Sequence, residues 1–156
     1  MKLKDILRNW VIAALSQPKN KVSVELSKIQ YGSILKGARI VVTGGSKGIG
    51  FAMADKFIKE GAEVVITGRN ENDLKDAVLK LGQYSHYIIF DNSNIDGIET
   101  FLFDCTNILG GIDSLVLNAG ISLHEGNFLN VTTEGFSKQL NTNLTANFYI
   151  PIIFEI

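Results

Sequence analysis

A single cysteine, Cys105, leaves no partner for an internal disulfide in the 156-residue chain. Histidine is nearly as scarce: His86 and His124 stand alone, so no Cys and His cluster has zinc-like spacing. Neither sign of charge dominates. Fifteen Lys and Arg against 16 Asp and Glu give a formal net charge of −1, which removes the basic excess expected of a nucleic-acid binder. Long apolar runs are missing too, since Trp10 to Leu15 falls far short of the roughly 20 residues that cross a bilayer. No low-complexity tract or solenoid-period repeat is present. These absences leave one ordinary globular domain, with a reducing, cytoplasmic setting as the default. Cys105 falls in the helical stripe Ile98, Leu102, Cys105 and Leu109, and is read as a small core residue.

The first 36 residues read as an extension. Leu3, Ile6, Leu7, Trp10, Ala13 and Ala14 lie on one helical face, Lys2, Lys4 and Arg8 lie elsewhere, and Pro18 closes the segment. The favoured reading is an amphipathic helix packed on its own domain or on a second subunit, with attachment to a membrane surface as the lesser one. Val22, Val24 and Leu26 alternate like a strand within polar, linker-like flanks.

From residue 37 to 156, β-branched runs alternate with helical patterns, the signature of βαβ units and a parallel sheet. Strands are expected at Arg39 to Val42, Glu63 to Thr67, His86 to Phe90 and Ser114 to Leu117. The first helix should turn Ile49, Ala52, Met53 and Phe57 inward. The second, capped near Asn70, should bury Leu74, Ala77, Val78 and Leu81. A third spans about Ile95 to Leu109 and a last begins near Thr132. Right-handed crossovers give a Rossmann-like, doubly wound α/β sheet in the order 3-2-1-4. Leu115, Val116 and Leu117 show no polar alternation, so the fourth strand reads as buried on both faces and as expecting a fifth beside it.

The stretch Val41 to Gly50, "VVTGGSKGIG", follows an apolar strand and opens a helix. Glycines 44, 48 and 50 permit close approach to the backbone, and the helix start offers unpaired N–H groups to a phosphate. It is not a P-loop, because Lys47 precedes Gly48 instead of following a glycine. The motif Thr43-Gly44-x-x-x-Gly48-x-Gly50, Asp91 after the third strand, and Asn118-Ala119-Gly120 after the fourth together resemble the short-chain dehydrogenase/reductase family. The resemblance implies that Thr43, Gly44, Ser46, Lys47, Gly48, Ile49 and Gly50 hold a dinucleotide. It further implies that Asp91, with Asn92 beside it, meets the adenine, and that Asn118, Ala119 and Gly120 support the sheet next to the cofactor.

Charge favours NADP(H) over NAD(H). The second strand ends Thr67-Gly68-Arg69, and Arg69 with Lys47 suits a 2′-phosphate, while Glu63 sits at the wrong end of its strand to bind a ribose hydroxyl. A methyltransferase-like loop would need an acidic residue where Thr43 stands.

Family members move a hydride between nicotinamide and a carbonyl or alcohol substrate, with a proton from a tyrosine assisted by a lysine four residues later. None of Tyr31, Tyr84, Tyr87 and Tyr149 has that lysine; the positions hold Leu35, Ile88, Asp91 and Ile153. Asn143 matches the family's helical asparagine, which anchors a proton-relay water. Phe136, Leu140 and Asn143 share a face expected to point inward. The chain is therefore expected to carry the cofactor half of a reductase without the serine and the tyrosine–lysine pair, and to be inactive alone. A non-catalytic binding or regulatory module that completes its sheet with a partner chain is the alternative. The family often pairs through the helix near Thr132, so a homo-oligomer is a further expectation.

Overall fold

Strand residues 40 to 42 and 64 to 66 are apolar without interruption, and both of their faces are covered. In the computed structural model, which describes Lys4 and residues 32–123 and 126–154, β1 (Arg39–Val42), β2 (Glu63–Gly68), β3 (Ser85–Ile89) and β4 (Ser114–Val116) form one parallel sheet ordered β3-β2-β1-β4. Successive side chains point to opposite faces. Ile40, Val42, Val64 and Ile66 therefore pack on one layer of helices, while Val41 and Val65 pack on the other. Each such side chain taken out of water contributes about 1.5–3 kcal/mol to folding.

Helices α1 (Gly48–Lys59) and α2 (Glu71–Leu81) cover the first face. In α2 the buried residues are Leu74, Ala77 and Leu81, with Val78 half-buried, and the Asn70 side chain accepts the Asp73 N–H at 3.2 Å as its cap. In α1 the inward face differs from expectation. Gly50 and Ala54 are buried, Met53 and Phe57 are half-buried, and Ile49 and Ala52 are exposed. The glycine at position 50 lets the helix start approach the sheet rim closely, so that Gly50 and Ala54 are its fully buried residues while Phe51, Met53, Phe57 and Ile58 pack against the core from its flanks.

The second face is covered by α3 (Ile98–Leu109), preceded by a 3₁₀ turn, and by α5 (Ala146–Phe154). The predicted stripe Ile98, Leu102, Cys105 and Leu109 is buried, joined by Phe101, which stacks on Phe90 with centroids 4.3 Å apart. Burial, with a smaller contribution from Asp104, pushes the Cys105 thiol up to about 12, which suits a core residue and not a nucleophile.

Helix α4 (Thr133–Leu140) begins at Thr132, whose hydroxyl accepts the Gly135 N–H at 3.0 Å, and runs through a π-helical turn (Asn141–Thr145) into α5. The wider turn shifts the buried face. Gly135, Thr142, Ala146 and Ile150 point inward, whereas Phe136, Leu140 and Asn143, expected to do so, are exposed.

β4 is likewise less buried than its apolar sequence implies. Leu115, Val116 and Leu117 are half-buried, because β4 pairs with β1 alone among the described residues. The proposed N-terminal helix apart from Lys4, the alternation at Val22 to Leu26, Tyr31 and His124 lie outside the described residues. Residues 32–37 dock on the turn between α1 and β2, with Leu35 N–H donating to the Glu60 carbonyl at 2.9 Å. Among the described residues no helix is long and apolar enough to cross a membrane.

Arg39 ties the foot of β1 to the turn before β4. Its side chain donates to both carboxylate oxygens of Asp113, at 3.0 and 2.7 Å, and to the Gly110 carbonyl at 2.7 Å. These bonds, with the Arg39 backbone N–H, hold the Asp113 carboxyl down at about 2 from its usual 3.8. A depressed folded-state pKa stabilises the fold above the unfolded value and loses that contribution as pH falls through the folded one. Wild type should therefore lose thermal stability between about pH 4 and 2 more steeply than Asp113→Asn, as read from melting temperatures across that window. Parallel acid slopes would contradict the assignment.

Candidate functional site

The carboxyl ends of β1, β2 and β4 converge on one crevice, the position where an open parallel sheet binds ligands. At the end of β1, the buried Thr43 hydroxyl donates to the Val116 carbonyl at 3.4 Å and accepts the Ala119 N–H at 3.0 Å. Asn118 Nδ2 donates to the carbonyls of Thr43 and Gly44, at 3.0 and 3.2 Å. The glycine loop is thereby laced to the loop after β4. Gly44 itself has a φ of +67° and lies so near Ala119 that a Cβ would stand 3.0 Å from its Cα.

Two helix starts meet in the crevice, and that of α1 differs from that of α2. Lys47 occupies its N-cap position without a capping side-chain hydrogen bond, and the first turn holds no acidic residue. By contrast, α2 is capped by Asn70 and carries Glu71 and Asp73 in its first turn. An uncapped, glycine-rich helix start presents N–H groups and a positive dipole end to an anion.

The cavity measures about 810 Å³. Of the residues singled out in the sequence, Gly44, Ser46, Arg69, Asp91, Asn92, Ala119 and Gly120 line it. Thr43, Gly50 and Asn118 lie behind that wall and brace it, while Ile49 is solvent-facing at 75% exposure. Lys47 and Gly48 line a smaller neighbouring pocket of about 250 Å³. Lys47, expected beside the ribose, pairs its amine with Asp73 at 2.8 Å, and Asp73 also lines the main cavity. The cavity also includes Gly68, Asn70, Glu71, Asp73, Ile121 and Thr142, which the sequence reading passed over. Asn70, Glu71 and Asp73 could have been found from their position in the first turn after Arg69, since a helix that starts at the end of β2 must turn its first residues to the same rim.

At the far wall, burial opposes ionisation of Asp91. The N–H and hydroxyl of Ser93, at 2.9 and 2.8 Å, with Arg69 and Lys138 nearby, outweigh it and hold the carboxyl below its usual range. Both Ser93 bonds fall on Oδ1, which leaves Oδ2 to accept from a ligand. Asn92 is buried at 4% exposure, and its Nδ2 has no hydrogen-bond partner among the described residues. A buried donor without a partner is costly, and one lining a cavity is suited to a ligand acceptor.

Asn143 does not point into the crevice. Its Oδ1 accepts the Ile121 N–H at 2.7 Å and its Nδ2 donates to the Ile121 carbonyl at 2.8 Å, fixing the chain just after Gly120. Its own carbonyl accepts from Asn147 Nδ2 at 2.9 Å. Glu63, at the opposite end of β2, lies 2.8 Å from His86 Nε2 and takes no part in the site.

A family model for short chain dehydrogenase matches residues 38–151. Over 118 residues the chain is 41% identical to the NADP-dependent (R)-specific alcohol dehydrogenase of Lentilactobacillus kefiri, covering 74% of this chain and 46% of that protein. It is 36% identical over 107 residues to serine 3-dehydrogenase of Agrobacterium fabrum, covering 69% and 43%. Among solved structures, a short-chain dehydrogenase/reductase (glucose/ribitol dehydrogenase) from Brucella melitensis superposes with a TM-score of 0.73 at 27% identity, over 81% of this chain and 53% of that one. A short chain dehydrogenase from Burkholderia cenocepacia in complex with NADP gives 0.72 at 30% identity, over 78% and 51%. The chain spans about half the length of the relatives it matches.

Proposed function

Because the chain belongs to the short-chain dehydrogenase family, we propose that its crevice holds NADP(H) and that these residues form the cofactor-binding part of an oxidoreductase. The observation that carries this reading is the uncapped start of α1, set against Gly44 at the sheet rim with Arg69 at the end of β2. The residues fit a dinucleotide. The N–H groups at the start of α1 would receive the diphosphate, Arg69 and Lys47 a 2′-phosphate, and Asp91 Oδ2 with Asn92 Nδ2 the adenine.

When bound, the nicotinamide supplies a hydride to a carbonyl carbon, or removes one from an alcohol. The substrate is a small-molecule carbonyl or alcohol compound. These residues bind and orient. Asn143 serves as a positioning residue, since both polar atoms of its side chain are committed to Ile121 and it reaches the crevice only through that segment. No tyrosine in the sequence is followed four residues later by a lysine, so the 156 residues grip the cofactor without supplying the proton donor. Phe136, Leu140, Leu144 and Phe148 recur every fourth residue and are exposed on the α4–α5 helix, an apolar strip against which a second copy of the chain would pack.

Fluorescence titration of the full chain with NADPH and NADH tests the cofactor reading. Arg69→Ala should weaken NADPH about tenfold, the scale of one charge-assisted hydrogen bond. Lys47→Ala should cost less, about threefold, because its amine is shared with an exposed carboxylate. NADH should change by less than about twofold in both, for want of the phosphate those cations meet. Equal losses for the two nucleotides would remove the 2′-phosphate from the account.

A further inference from the structure

The Lys47–Asp73 pair joins two features of the crevice that act on the same part of a ligand. Lys47 stands at the N-cap of α1 and Asp73 in the first turn of α2. The carboxylate has no role in capping its own helix: the cap uses the Asp73 backbone N–H, received by Asn70. Its side chain instead reaches Lys47 Nζ at 2.8 Å. Asp73 also lines both the main cavity and the small pocket that contains Lys47, so it stands between that lysine and the end of β2, where Arg69 lies.

The geometry points to Asp73 as a specificity-determining residue, a built-in carboxylate that competes with a ligand's 2′-phosphate for Lys47. The inference rests on the proposed binding of a phosphorylated ribose in this crevice and deepens it. A 2′-phosphate must draw the ammonium away from a partner already in place, and it meets the carboxylate's own repulsion as it does so. A ribose 2′-hydroxyl faces neither cost, because it can donate a hydrogen bond to Asp73 while the ion pair stays closed. Arg69, which is in no ion pair among the described residues and feels Asp91 only from a distance, attracts the phosphate without a carboxylate bonded to it. The two cations therefore differ in role: Arg69 sets the preference for the phosphorylated nucleotide, and Asp73 moderates it through Lys47.

The test is a cycle of Asp73→Asn, Lys47→Ala and the double variant in the full chain, titrated with NADPH and NADH, with Arg69→Ala alongside. Asp73→Asn keeps the side-chain shape and the backbone cap. It should tighten NADPH about three- to fivefold, the effect an exposed ion pair supports, and leave NADH unchanged or slightly weaker. In the Lys47→Ala background the same change should yield less than about half of that gain, since only the direct repulsion is left to relieve. Raising the salt concentration should shrink the gain, as screening weakens both pair and repulsion.

An equal gain for NADPH and NADH, no gain for NADPH, or an undiminished gain without Lys47 would overturn the role given to Asp73, while a loss of NADPH affinity in Arg69→Ala kept the cofactor reading intact. Failure of Arg69→Ala and Lys47→Ala alike to weaken NADPH would remove that reading, and the role of Asp73 with it.

Discussion

Gly50→Ala is expected to abolish measurable dinucleotide binding, raising Kd by more than about 100-fold, the loss of roughly 3 kcal/mol. The backbone conformation of residue 50 is one that alanine adopts readily, so the effect comes from space alone. An added Cβ would overlap the Gly44 carbonyl oxygen and stand 2.6 Å from Asn118 Nδ2. Gly44 lines the crevice and Asn118 braces it from behind, its amide held by two hydrogen bonds, so neither is the free end of a flexible side chain. The helix start must withdraw or the glycine loop must reopen, and either movement separates the α1 N–H groups from Gly44. Overpacking of this kind costs about 1–3 kcal/mol of stability, so the melting temperature should also fall by several degrees. Gly48→Ala is a useful contrast. A Cβ there meets nothing within 4 Å, but its φ of +57° strains any side chain, so it should perturb the loop without blocking the crevice. Titration and thermal melts of both variants provide the check; wild-type affinity in Gly50→Ala would disprove the proposed seat for the diphosphate.

Asn118→Leu should raise the NADPH Kd by about 30-fold and lower the melting temperature, because one side chain satisfies two carbonyls of the glycine loop. Leucine is close in size but cannot donate, and each buried carbonyl left unpaired costs about 1–3 kcal/mol. Unlike Arg69→Ala, this change should weaken NADPH and NADH alike, since it disturbs the loop under the diphosphate that both carry. Thr43→Val removes a lesser brace, the acceptor of the Ala119 N–H, and should reproduce the pattern at smaller amplitude. Discrimination between the nucleotides in Asn118→Leu would show that this residue touches the ribose end, contrary to the geometry.

Strand order and the position of the glycine loop were legible because both depend on local signals: apolar runs without alternation, a loop rich in glycine, and Asn70 at a helix start. β4 carried the same apolar signal as β1 and β2 yet is only half-buried. Sequence reports the burial a strand is suited to, whereas burial itself depends on which strands lie beside it. The α4–α5 helix misled for another reason. A count at 3.6 residues per turn puts Phe136, Leu140 and Asn143 on the core side, and the π turn at Asn141–Thr145 breaks that count where the polar sequence Asn141-Thr142-Asn143 gives no periodicity to detect. Ile49 looked like core by the same count, but the neighbour that approaches the sheet is Gly50, which hydrophobicity cannot reveal.

Lys47 shows the limit of charge reading. Its position next to the glycine loop was plain, but its pairing depends on a helix that begins more than 20 residues later. Asn143, singled out as the match to the family's helical asparagine, makes a pair of hydrogen bonds to Ile121, 22 residues back along the chain, a pairing that no local pattern announces.

The contacts that lace β1 and its glycine loop to β4 and its flanks join residues 74 to 76 positions apart: Arg39 to Asp113, Asn118 to Thr43 and Gly44, and Ala119 to Thr43. A nascent chain made from its amino end displays the glycine stretch long before the segment that must clasp it has emerged. Closing so wide a loop is slow, which would place the proposed capture of nucleotide after the docking of β4. A ligand bound only by the finished fold, as proposed for the dinucleotide, would draw the folding equilibrium towards it, and the supply of nucleotide in the surrounding medium would then help to set how much of this polypeptide persists.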